Sequence, residues 1–388
     1  MKINIEIPKA LYGKFSDIKL CFTNTDGRKQ KVSLSIDFQS LYDFSKDTNS
    51  KKFDFFLLSG LVYGIDNLLN RSSYSVDGWA REIEVEFPVK NLSAWQGKEE
   101  LLQQALGFLT GDYWQISFSK LKIKSIYIEK VGRWKKYIPV FDKPNIKTVS
   151  LFSGGLDSLI GVIDYLEKLN VDEKMIFVSH FDSNSSGPNS DQTKLEKILS
   201  KNYADKIYWI QSTITLSRYD SKGVAIKVED SYRSRSILFI GIGLFLCSDD
   251  LTTNELIIPE NGTISLNYPL TPSRASSLST RTTHPFVIET LQNLINKLGL
   301  NVTLVDPYSF LTKGEMVKNC ASSKILKKTY QESVSCGKRG RRGHWDTRSG
   351  TDHCGICMPC IYRRAALHKK NLDTQTYGID ILSVTSIN

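Results

Sequence analysis

The sequence predicts an α/β fold in two parts. A domain over residues 146–388 is built on a parallel sheet and carries a late four-cysteine cluster; an α+β domain over 1–145 precedes it. Three observations carry this. From 146 onward short apolar runs alternate with helically spaced ones, giving strands at 147–152, 174–179, 205–211, 254–259 and 302–306 and helices at 157–169, 190–201, 232–247 and 283–298. Strands separated by helices pair as parallel neighbours through right-handed crossovers, and such sheets bind ligands beyond the carboxyl ends of their strands. Before 146 the period is two instead, at 2–8, 18–22, 31–37, 82–88 and 121–128, with helices near 53–70 and 97–110. Between the two stretches, Asp142-Lys143-Pro144-Asn145 collects turn residues and marks the boundary.

With 388 residues there is chain enough for two cores. Met1 to Pro8 alternates Ile3, Ile5 and Ile7 with polar residues and reads as a strand rather than a signal peptide. The longest apolar run, Ile237 to Cys247, is too short to span a bilayer and reads as a buried helix. A cytoplasmic protein with no membrane partner is expected. The net charge of +10 and a pI near 9.0 favour anionic partners, nucleotide or nucleic acid, without choosing between them; lysines scattered over the surface give the same totals. Gly132-Arg133-Trp134-Lys135-Lys136-Tyr137 mixes basic and aromatic residues, as a contact surface or a solvated strand end does. The first domain shows no catalytic spacing and is read as a partner- or substrate-binding unit.

Chemistry concentrates at Ser153-Gly154-Gly155-Leu156-Asp157-Ser158, between the apolar strand ending at Phe152 and the helix that follows. A strand feeding a Gly-rich turn that opens a helix gathers backbone N–H groups around one point, and the helix dipole adds positive potential there. Gly154 and Gly155 admit a close ligand, and the Ser153 and Ser158 hydroxyls add donors. No lysine follows as in a Walker A loop, and no G-x-G-x-x-G is present. The loop therefore suits pyrophosphate as a leaving group.

A second constellation is Cys336, Cys354, Cys357 and Cys360. Two C-x2-C steps and one distant cysteine can place four thiolates in a tetrahedron, the usual donor set of structural zinc, with an iron–sulfur cluster as the rival. His344 and His353 flank the loop and offer a substitute ligand. Between the cysteines Lys338, Arg339, Arg341 and Arg342 form a charge run, solvated or closing over a bound nucleotide. Cys21, Cys247 and Cys320 sit among apolar residues and are read as packed thiols.

S-G-G-x-D-S is the signature of the PP-loop ATP pyrophosphatases, and 153–158 resembles it at every defined position. The loop, the late cysteines, Tyr232-Arg233-Ser234-Arg235-Ser236 and Thr312-Lys313-Gly314-Glu315-Met316 together make residues 147–370 resemble the QueC-like enzymes, 7-cyano-7-deazaguanine synthases. The extra first domain departs from those enzymes. So do the segments Glu260 to Asn267 and Ser279 to Pro285. The whole layout resembles more the longer QueC-like proteins of bacterial anti-phage systems, the QatC components of Qat defence.

This resemblance implies ATP, Mg²⁺ and Zn²⁺ as cofactors and a carboxylate of the 7-carboxy-7-deazaguanine type as substrate. The acid attacks the α-phosphate, pyrophosphate leaves, and an amine then displaces AMP. Asp157 is implied for Mg²⁺ contact or loop order. Lys313 and Arg235 are implied for phosphate or carboxylate contact, Arg233 as the weaker choice. Asn261, Arg281 and His284 are further substrate-binding candidates. Glu260, expected just past a strand end, is expected to accept the N1–H and 2-amino hydrogens of a guanine-like base. The nucleophile is expected to be an amine on a protein partner from the same defence operon, for which the added domain provides a surface. Ammonia, giving the nitrile, is the alternative, and action on tRNA or DNA a further one.

Overall fold

The computed structural model describes residues 1–8, 16–47, 49–123, 139–184, 187–267, 281–339 and 342–381. Its ten strands are β1 (Lys2–Glu6), β2 (Ser16–Thr23), β3 (Lys29–Ile36), β4 (Glu82–Val89), β5 (Tyr113–Lys120), β6 (Ile146–Leu151), β7 (Lys174–Phe181), β8 (Ile207–Asp220), β9 (Glu255–Ile257) and β10 (Thr303–Val305). They form one mixed, mostly parallel sheet in the order β10-β9-β6-β7-β8-β3-β2-β1-β4-β5. β6 is central among the parallel strands, between β9 and β7. Thr148, Val149, Ser150 and Leu151 are all buried, as a strand covered on both faces requires.

β8 is the element that differs most from its sequence expectation of 205–211. Its first half pairs parallel with β7, and its second half runs on to pair antiparallel with β3 through Ile214, Thr215 and Leu216. The continuation was legible as the alternation of Ile210, Ser212, Ile214 and Leu216, which are buried in turn. The sheet therefore passes across the 142–145 turn without a break. Within that turn Lys143–Asn145 leads directly into β6. β5 is not among the expected strands, though Trp114, Ile116 and Phe118 supply its inward alternation, and of the strand expected at 121–128 only 121–123 are described, outside any strand. Residues 124–128, and the basic-aromatic stretch 132–137, lie outside the described residues.

Successive β7 residues face opposite layers. Ile176 and Val178 join an apolar cluster made from both halves of the chain, with Leu34, Phe56, Leu58, Ile240 and Leu291. Met175 and Phe177 join a second cluster with Phe152, Leu159, Ile163, Leu195, Leu326 and Leu367. In the first layer the helices Lys51–Leu68 and Arg235–Leu246 cross tightly: a Cβ on Gly241 would stand 2.0 Å from Ser59 Oγ.

Below that crossing lies a buried ionic cluster. The Arg81 guanidinium, with no exposed surface, donates to Asp66 Oδ1 at 2.5 Å and Asp112 Oδ2 at 2.6 Å, while Arg71 donates to Asp112 at 2.7 and 2.9 Å. Asp66 also accepts from the N–H and hydroxyl of Ser234, at 3.0 and 2.6 Å. The first half of the chain thus fixes where helix Arg235–Leu246 begins. Tyr232 takes a left-handed φ of 48° just upstream, which delays the helix from the expected 232. Among the described residues no helix is long and apolar enough to cross a membrane.

Candidate functional site

The 153–158 loop follows β6, and its helix, Leu156–Leu166, starts at the expected place. Gly154 has φ +85°, and a Cβ there would press on Gln192 Cγ at 3.2 Å, so glycine is required by both conformation and space. Two hydroxyls lie on the loop's own N–H groups: Gly155 N donates to Ser153 Oγ at 3.3 Å and Leu156 N to Ser335 Oγ at 3.2 Å. These bonds are long, and an anion can compete for the same donors with a charge-assisted, stronger bond. Ser158 Oγ donates to Gly155 O and lies 3.2 Å from Ser153 Oγ.

The Asp157 carboxylate lies in a buried polar group. It accepts from Lys313 Nζ at 2.5 Å and from Asn261 Nδ2 at 2.8 Å; Asn261 also reaches Glu260 Oε1 at 3.3 Å. Burial works against the Asp157 charge, but Lys313 and the hydrogen bonds from Glu260, Lys313 and Asn261 hold its pKa below the ordinary carboxylate range. Glu260 is shifted the other way, well upward, by burial and by the adjacent Asp157 charge. Asp306 is pushed up to about 6, chiefly by burial. Within one group, Lys313 and hydrogen bonds favour the charge on Asp157, while burial opposes the charge on Glu260 and Asp306.

Topology explains the convergence. Asp157 follows β6, Glu260 and Asn261 follow β9, and Asp306 follows β10, so adjacent parallel strands deliver all four at their carboxyl ends. Lys313 arrives as the first residue of helix Lys313–Asn319, which Thr312 and Glu315 cap reciprocally. Asn261 caps the short helix Gly262–Leu266 through Ile264 N.

The four cysteine sulfurs lie within 4.8 Å of one another, close enough to hold a metal ion such as zinc. The set fits a soft cation: Cys336 Sγ accepts from the N–H groups of Lys338 at 3.4 Å and Cys354 at 3.3 Å, and Cys354 Sγ from Cys357 N at 3.3 Å, an outer shell that suits thiolates. Neither flanking histidine joins them. His353 Nε2 accepts from Ser335 N at 3.4 Å, and His344 is exposed. Helix Met358–His368 begins three residues before the expected Ile361, so Cys360 lies in its first turn.

Cysteine cluster and loop are physically continuous. Val334 N donates to Gly154 O at 3.0 Å and Ser335 contacts Leu156, immediately before Cys336. From the charge run, Arg339 pairs with Asp191 and Asp352, and Arg342 with Asp352; Arg341 lies outside the described residues. Next to Asp191, Gln192 Nε2 donates to Ser153 O at 3.2 Å. Asp306, Ser335 and Gln192 are the site residues that sequence reading missed, Asp306 although it ends a strand expected at 302–306. Ser335 had one signal, its place beside a ligating cysteine; Gln192 had none.

Arg235, Arg281 and His284 stand elsewhere. Arg235 lies over the Phe239 ring at 5.4 Å, near the buried His180. Arg281 lies over the Phe108 ring at 4.6 Å and donates to Phe108 O, and His284 caps helix Pro285–Lys297 through Phe286 N. Arg233 lies over Trp79. A scan of protein-family models finds no match to this chain, and a search of curated proteins finds none either.

Proposed function

We propose that the chain is a PP-loop enzyme that uses ATP to adenylate a carboxylate of the 7-carboxy-7-deazaguanine type and then forms an amide with an amine, on a protein partner in an anti-phage system. The observation that supports this most is the pairing of the glycine–serine loop with the Asp157–Lys313–Asn261–Glu260 group at one strand edge. Loop N–H groups take the leaving pyrophosphate while Lys313 balances charge at the α-phosphate. One carboxylate oxygen bonds to the α-phosphorus as the bond to the β-phosphate oxygen breaks. The amine nitrogen then bonds to the acyl carbon, AMP leaves, and the amine proton passes to solvent.

Mg²⁺ accompanying ATP supplies charge neutralisation on the phosphates, and Asp157 and Glu260 are the carboxylates that would hold it. Glu260 has a rival role, accepting from the N1–H and 2-amino edge of the base. Glu260→Gln separates the two: loss of acid use with ATP binding retained supports the base edge, and loss of Mg²⁺-dependent ATP binding supports the cation. The four thiolates would hold zinc as a closed structural centre beneath the loop.

A protein amine is favoured over ammonia because the first half of the chain walls the same edge, with Tyr63 Oη donating to Asp182 Oδ2 at 3.2 Å. A secondary amide cannot lose water to a nitrile, so conjugation stops after one ATP. Protein, ATP, Mg²⁺ and the acid, incubated with ammonium or with operon proteins and followed by mass spectrometry, test this. A partner heavier by one base amide, with one AMP per event, is expected. Free nitrile at two ATP per turnover moves the chain to the biosynthetic class, and no AMP under either condition overturns adenylation.

A further inference from the structure

We infer that Ser335 is a further anion-binding residue of the 153–158 loop, and that the four cysteines set the loop's anion affinity by holding Ser335 in place. The inference rests on the reading of that loop as a pyrophosphate site, to which it adds a donor from outside the motif and a means of control. Ser335 Oγ accepts from Leu156 N at 3.2 Å, and its own O–H has no acceptor among the described residues. A Cβ on Gly155 would stand 3.4 Å from Ser153 Oγ and 3.7 Å from Ser335 Oγ, so the two hydroxyls flank one glycine of the loop. With Leu156 N and Ser335 Oγ this close, one anionic oxygen can accept from both. The hydroxyl then turns from acceptor to donor, in a bond strengthened by the anion's charge.

Ser335 is held from the cysteine side. Cys336 follows it directly, and the Cys336 sulfur lies within 4.8 Å of the other three. Ser335 N donates to His353 Nε2 at 3.4 Å, and His353 immediately precedes Cys354. Ser333 Oγ accepts from Arg363 Nη1 at 2.9 Å, and Arg363 Nη2 donates to Tyr330 O at 2.5 Å. Arg363 has no exposed surface and stands on helix Met358–His368 with Cys360. Cys336 thus fixes Ser335 through the chain, Cys354 through His353, and Cys360 through Arg363. Between these anchors Val334 N reaches the loop, donating to Gly154 O at 3.0 Å.

A cation bound by all four sulfurs closes this ring of contacts and fixes the three anchors relative to one another. Without it, the segment 333–336 gains freedom that anion binding must take away again. A donor already in place binds more tightly because its ordering cost is met beforehand. Metal occupancy at the thiolates therefore raises anion affinity at the loop, and Ser335 is the residue that carries the effect.

The test needs no turnover and uses the full chain. Inorganic pyrophosphate is titrated by calorimetry into wild type and Ser335→Ala, each loaded with zinc and each after a chelator has removed it. Zinc content is measured at the end of every titration. With zinc, Ser335→Ala should bind about tenfold more weakly than wild type, as loss of a bond to a charged group does. The Leu156 N–H freed in that variant does not offset this, because it gives up only a long bond to a neutral hydroxyl. Ser335→Thr keeps the hydroxyl and should recover most of the affinity. Removing zinc should weaken wild type by a similar factor and Ser335→Ala much less. Far-ultraviolet circular dichroism reports whether the zinc-free samples keep their fold; the zinc-loaded pair decides the ligand role in either case. Equal affinity of zinc-loaded wild type and Ser335→Ala overturns that role, and an equal loss in both on zinc removal overturns the coupling. Zinc-loaded wild type that binds no pyrophosphate overturns the reading of the loop itself, and this inference with it.

Discussion

Two polar clusters stand at one end of this sheet and are built on opposite terms. Around Arg81 two carboxylates and two backbone carbonyls take up the guanidinium donors, with the Nη2 bonds to Asp66 and Asp112 at 2.5 and 2.6 Å, and the exposure of Arg81 itself is nil. Around the 153–158 loop the N–H groups rest on neutral hydroxyls at 3.2 and 3.3 Å, and Ser153 is exposed. A fully satisfied buried network fixes geometry, and a loop whose donors are only loosely held keeps its capacity for a ligand. The first cluster therefore aligns the two halves of the chain, and the second is where we propose that binding happens.

The sharpest way to break this contrast is to remove the Arg81 charge. Arg81→Met leaves Asp66 and Asp112 with less compensation, and a loss of about 3–5 kcal/mol is expected in urea unfolding. A loss as small as that of a surface substitution would refute the structural reading. Lys313→Met also leaves a buried carboxylate, Asp157, without its cation, so stability should fall there too, and activity is the readout that tells the two clusters apart. The Lys313→Met variant should cut acid-dependent pyrophosphate release by a factor on the order of a hundred, measured in a coupled phosphate assay. Pyrophosphate release left unchanged by Lys313→Met would erase the distinction between the clusters.

Smaller effects sharpen it. His180 is fully buried between the Tyr63 and Phe239 rings, and burial, with the Arg235 charge, pushes it down to about 3. Because the folded pKa lies below the unfolded value near 6.5, its contribution is intact above that pH. It should fade as pH falls toward 3, at up to ~1.4 kcal/mol per pH unit. His180→Phe should flatten that slope in pH-dependent denaturation; an unchanged slope assigns the titration to other groups. Least of all, Ser335→Ala should alter stability by about 1 kcal/mol or less. It should still change pyrophosphate affinity in calorimetry, because Leu156 N loses its resting acceptor. No change in affinity would detach Ser335 from the loop.

Legibility in the sequence follows the same division. The loop and the four cysteines are compact motifs, so their residues were found and their local geometry follows from spacing. Asp157, Asn261, Glu260 and Lys313 converge because strand order brings separate strand ends together, and the strand–turn–helix pattern already implied that edge. Arg281 and His284 were sought near the loop but pack on Phe108, because the first half of the chain reaches the same edge. Nothing in 1–145 announced Trp79 or Phe108 as neighbours of Arg233 and Arg281. The length of β8 was missed for a related reason. Its partner changes from β7 to β3 along the strand, and single-strand alternation does not record where a partner changes.

The central claim is that a carboxylate attacks the α-phosphate of ATP, and oxygen labelling tests it most directly. Acid substrate carrying ¹⁸O in its carboxylate is incubated with the protein, ATP, Mg²⁺ and an amine, and the phosphorus products are weighed. The account predicts AMP bearing one ¹⁸O, because the oxygen that joined the α-phosphorus departs with it when the amine takes the acyl carbon. Labelled inorganic phosphate with ADP, or amide formation with unlabelled AMP, would contradict it.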